Sequence, residues 1–122
     1  MAGLPSVQIF GIKGSQATRA AERFFKERGV AIHFVDLKKK PMSAGEIRRF
    51  VEKFGLNGLV DSESKAWVDG GLKYLKLSES ELLSKIEQDP GLLRLPLVRG
   101  GNKIAIGPDA EGWKAMTVVL KG

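Results

Sequence analysis

The 122-residue sequence contains no cysteine. This excludes a disulfide framework, a cysteine-based zinc site and any chemistry that runs through a thiol of the chain's own. Histidine is nearly as scarce. His33 is the only one, and a lone imidazole has no companions with which to hold a metal, so no metal site is expected. Long apolar runs are also missing, and the longest fall far short of the ~20 residues that span a bilayer. Met1 to Ser6 lacks the cationic head and apolar stretch of a secretory signal. The expectation is a soluble, cytoplasmic chain with no membrane partner. No glycine-rich phosphate-loop pattern follows a strand, so nucleotide binding has no signature.

Hydrophobic residues make up 43% of the chain and charged residues 28%, enough apolar mass for one core and a single domain spanning 1–122. The formal net charge is +6, which favours acidic partners. A protein is expected before nucleic acid, for which no recognition motif is present. The run Lys38-Lys39-Lys40 reads as a solvated loop.

The apolar run Val7 to Phe10, bounded by Pro5 and Gly11, reads as a buried strand. Ala17, Ala20, Ala21, Phe24 and Phe25 then recur at helical spacing, and Gly29 stands where a helix C-cap glycine would. Val30 to Val35 is β-branched and aromatic and reads as a second strand, giving a β-α-β unit with a parallel pair. Ser43 with Glu46, and Ser78 with Glu81, have capping-box spacing and open two further helices. The stretch between them is less periodic, with one short helix expected around Ser64 to Trp67. Leu95 to Val98 and Lys103 to Ile106 flank Gly100-Gly101 and read as an antiparallel hairpin. A last helix starts at Pro108-Asp109 and carries Trp113, Met116, Thr117 and Leu120 on one face. Trp67 and Trp113 are expected in the core. The summed order, β-α-β, a helical insert at about 41–90, then β-β-α, is that of an α/β thioredoxin-like fold with a mixed sheet of about four strands.

Several spaced stretches then resemble one family. Phe10-Gly11-Ile12-Lys13-Gly14-Ser15 is similar to the opening strand and loop of the arsenate reductase (ArsC/Spx) family. Asp36-Leu37-Lys38 resembles the segment after its second strand. Asp89 to Val98 resembles its segment of a hydrophobic pair, a basic residue, Arg-Pro and an apolar strand. Gly100-Gly101, Ile106-Gly107 and Glu111-Gly112-Trp113 resemble its closing hairpin and helix.

The resemblance implies a catalytic cysteine at the start of the first helix, where unpaired amides stabilise a thiolate and hold an oxyanion. That position is Ser15, and Thr18 stands where the Spx branch has a second cysteine. Serine nucleophilic chemistry needs a nearby base, and His33 is expected inside the second strand along a packed sheet. Ser15 is therefore expected to be a helix N-cap. Lys13, Gly14, Ser15 and Gln16 remain candidates for holding a phosphate-like anion. The resemblance also implies an arginine directly before the proline, to clamp the oxyanion. That position is Leu95, and Arg94 is one residue early, which in extended chain turns it to the opposite face. The Leu95–Pro96 bond is expected to be cis, with Pro96 shaping the groove beside Ser15. Two functional readings follow. One is a non-catalytic protein-binding or regulatory module, as the Spx-like or nitrogenase-associated-like branches of the family imply, with a partner that is acidic or connected with transcription and no cofactor. The other is an arsenate-reductase-like oxidoreductase in which glutathione supplies every sulfur.

Overall fold

Alternating apolar residues give β1 (Ser6–Gly11) two different faces. Val7 and Ile9 are buried in one cluster with Ala21 and Phe25 of the helix α1 (Gln16–Glu27). The computed structural model describes residues 6–121. Expectations that rest on Met1 to Pro5 lie outside that range. The chain divides into two compact units. One holds the chain up to Asp36 and from Leu95 onward, and the other is Leu37–Arg94. The sequence pattern put the helical segment at about 41–90.

The first unit is a four-stranded sheet in the order β2-β1-β3-β4. β2 (Ala31–Asp36) pairs parallel with β1, with Gln8 opposite His33 and Gly11 opposite Asp36. β3 (Leu97–Gly100) runs antiparallel to β1, and β4 (Lys103–Ile106) runs antiparallel to β3. This order and these directions are those of the α/β thioredoxin-like fold that the element order predicts. The hairpin turn is tight because Gly101 takes φ 60°, a left-handed conformation that favours glycine.

Two helices, α1 and α6 (Ala110–Lys121), pack together and against the sheet. Asp109 starts α6 by accepting the Gly112 amide at 2.9 Å. Phe24 meets Phe25 edge-on at 5.2 Å and Trp113 at 5.6 Å, forming an aromatic cluster between the two helices. Such pairs add about 1 kcal/mol to plain burial. Gly100 lets β3 lie close to β1 and α6, since a Cβ there would stand 3.1–3.2 Å from Val7 and Met116.

The second unit contains four helices: α2 (Ala44–Phe54), α3 (Leu56–Leu59), α4 (Lys65–Asp69) and α5 (Glu79–Gln88), with 3-10 turns at Leu72–Tyr74 and Pro90–Leu92. Both expected capping boxes form. Ser43 accepts the Glu46 amide while Glu46 accepts the Ser43 amide, and Ser78 and Glu81 do the same. Phe50, Leu59, Leu72, Leu82, Ile86 and Leu92 are buried. Among the described residues, no helix is long and apolar enough to cross a membrane.

Candidate functional site

The loop between β1 and α1 is closed by a tight turn in which the Ser15 amide donates to the Ile12 carbonyl at 2.9 Å. Ser15 itself is extended (φ −76°, ψ 124°), and its hydroxyl accepts the Thr18 amide at 3.2 Å. This is N-cap geometry: the short side chain reaches one of the orphan donors of the first turn. Its carbonyl meanwhile accepts the Arg19 amide at 3.1 Å. The amides of Gln16 and Ala17 have no protein acceptor among the described residues. No acidic side chain stands in the first turn to compensate the helix dipole. Lys13, Gly14 and Gln16 are exposed around this point, and Ser15 is half-buried.

Behind the cap lies Thr18, which is completely buried, with a hydroxyl that finds no hydrogen-bond partner. It packs against the end of β1 where Gly11 has no side chain. A Cβ at Gly11 would stand 2.5 Å from the Thr18 hydroxyl oxygen and 2.6 Å from its methyl carbon. The glycine of the loop is thus required by the threonine beneath it. The sequence pattern marked Thr18 only as a degenerate cysteine position and gave no sign of this packing.

Phe10 pairs with Leu97, so Pro96, one residue earlier on an antiparallel strand, comes level with Gly11. The Leu95–Pro96 bond is cis, as expected. Pro96 is buried, and its carbonyl accepts the Gly107 amide at 3.0 Å. Ser15, Thr18, Gly11 and Pro96 therefore gather at one end of the sheet in the first unit.

The other candidates lie apart from this cluster. Arg94 belongs to the second unit, where its Nε donates to the Val60 carbonyl at 3.1 Å and its amide to the Leu59 carbonyl at 2.7 Å. Its guanidinium is tied to the chain end of α3. His33 corrects one expectation: it is exposed and not packed along the sheet, because β2 is an edge strand. It sits opposite Gln8, three residues before Gly11. That is roughly 10 Å back along the strand from the loop, and too far to serve Ser15 as a base. The lysine run is exposed. Trp113 is buried in the core, whereas Trp67 is only half-buried.

Comparison with known proteins supplies the context. The model of the ArsC family matches residues 10–116. The chain is 28% identical to an arsenate reductase of Neisseria meningitidis serogroup A over 116 residues, covering 93% of this chain and 99% of that protein. It is 25% identical to the global transcriptional regulator Spx 2 of Oceanobacillus iheyensis over 104 residues, 84% of this chain and 76% of that one. Among solved structures, an arsenate reductase from Vibrio cholerae superposes with a TM-score of 0.74 at 18% identity, covering 88% of this chain and 95% of the other.

Proposed function

The chain belongs to the ArsC family, and on that premise we propose that it works as a non-catalytic binding module rather than as a reductase. The observation that carries this reading is the state of Ser15. Its hydroxyl caps α1 at the family's nucleophile position, and no other residue of the chain can supply a thiol. A serine there has no base within reach, and it cannot form the sulfur–arsenic bond or the mixed disulfide on which thiol chemistry depends. The clamp position is also empty of charge. Leu95 stands before the proline, and the neighbouring Arg94 is engaged by Val60.

What the loop retains is capacity for binding. Two unpaired amides, a capping hydroxyl and Lys13 surround a helix start without an acidic residue, a setting that suits a small oxyanion. The partner we propose is an acidic protein. The net charge of +6 favours one, and the Spx relative is a transcriptional regulator by name. No cofactor enters this reading.

The likeness to arsenate reductases keeps a second reading alive, in which glutathione supplies both electrons and every sulfur. It would require arsenate to be reduced without an adduct on the protein. Pure protein incubated with arsenate, glutathione and glutaredoxin separates the two. The binding-module reading expects no arsenite above the protein-free rate, and protein-dependent arsenite formation would overturn it.

A further inference from the structure

The second unit contains a cavity of about 350 Å³ that lies outside the Ser15 loop. Small-molecule pockets run from roughly 300 to 1,000 Å³, so this one would take a single small ligand. One wall comes from the loop before α2 and the first turn of α2, through Leu37, Met42 and Ile47. The facing wall is α5, through Leu83 and Ile86. No lysine or arginine lines the cavity. Lys38, Lys39 and Lys40 fall between two lining residues, Leu37 and Pro41, yet none of the three lines the cavity.

All the polar lining is on α5. Ser80, Ser84 and Glu87 follow one another at helical spacing and form one stripe beside Leu83. The Ser84 hydroxyl and the Glu87 carboxylate have no hydrogen-bond or ion-pair partner among the described residues. The rest of α5 strengthens the sign of this wall, since Glu79 and Glu81 stand against a single lysine, Lys85. An ionised carboxylate only accepts hydrogen bonds, and it bonds most strongly to a charged donor. An occupant would therefore need an apolar body for the Leu-Met-Ile walls and a protonated nitrogen for Glu87.

We propose that the cavity between α2 and α5 is a binding site for a small amphiphilic amine, with its apolar part against Met42, Ile47 and Leu83 and its ammonium at Glu87. The exposed lysine run stands outside the cavity and would draw an anionic amphiphile instead, so the two signs of charge make opposite predictions.

The test uses three eight-carbon probes on the full chain: n-octylamine, n-octanol and octanoate. Binding is followed by the shifts of the backbone amides of Ile47 and of Leu83 to Glu87. Octylamine should saturate these shifts and bind roughly fivefold more tightly than octanol, the range of a partly exposed ion pair, with octanoate weakest. Glu87→Gln should bring octylamine down to the level of octanol and leave octanol unchanged. Ala44→Trp, a change at an exposed lining residue that fills the cavity, should abolish binding of all three while the rest of the spectrum keeps its dispersion. The proposal is overturned if octylamine gives no saturable shift at these amides, if octanoate binds most tightly, or if Glu87→Gln leaves the preference for the amine intact.

Discussion

Thr18 and Gly11 are the residues whose behaviour follows most directly from contacts. A buried hydroxyl without a partner carries a desolvation penalty that folding does not recover. Valine has nearly the shape of threonine, so Thr18→Val should raise stability by about 1 kcal/mol in a urea titration. Gly11→Ala should act in the other direction. Its Cβ would meet the Thr18 side chain at 2.5 Å, and overpacking of this kind costs about 2 kcal/mol. Shortening the neighbour in the double variant Gly11→Ala/Thr18→Ala should remove most of that strain, so the two changes should be non-additive. Equal and additive losses would show that the contact does not govern this corner. Ser15→Ala should cost about 1 kcal/mol through loss of the cap. The Ser15 cap was legible in the sequence and forms as expected, whereas the sealing of Thr18 beneath Gly11 was not, because that contact depends on how the end of β1 meets the first turn of α1.

Among the elements, α5 offers a pH signature. The backbone amide of Ser78, then its hydroxyl, hold the Glu81 carboxyl below its usual range, with a smaller contribution from Lys85. A carboxyl depressed in the folded state stabilises the fold above its unfolded pKa, and this contribution disappears as the pH falls through the folded value. Glu81→Gln keeps the hydrogen-bonding shape of the capping box but removes the charge. The stability gap between wild type and Glu81→Gln should therefore be open at neutral pH and close as acid titrates through and below the carboxylate range. A gap independent of pH would remove Glu81 from the account. The elements themselves were largely readable. Capping boxes at Ser43 and Ser78, the Gly29 stop and the Phe24-Phe25 stripe are local signals, and each appears in the structure. In the segment from Leu56 to Leu77 only the short helix expected around Ser64 to Trp67 was readable, and it appears as α4 with Ser64 as its cap. Short helices such as α3 and the 3-10 turn at Leu72–Tyr74 are set by contacts within their unit, such as the bridge between Val60 and Leu93, which leave no periodic trace in the chain. His33 was misplaced for a related reason: an apolar, β-branched strand looks the same at the centre of a sheet and at its edge.

On the scale of the whole molecule, the chain belongs to the ArsC family, and the reading proposed above has the parts that perform thiol chemistry replaced at two separate points, Ser15 and Leu95. Both positions come from the sequence, where the resemblance implies a sulfur at the start of the first helix and an arginine before the proline. The α2–α5 cavity was not visible, because its lining comes from segments some forty residues apart in the chain. The central claim is that the nucleophile site has become a helix cap in a protein that binds rather than reduces. The most direct measurement is glutathione-dependent arsenate reduction by the wild-type chain, by Ser15→Cys and by Ser15→Cys/Leu95→Arg, side by side. The account predicts no turnover by the wild type or by Ser15→Cys, with any gain confined to the variant that restores both thiol and clamp. Arsenite produced by the wild-type protein at a rate proportional to its concentration would contradict it.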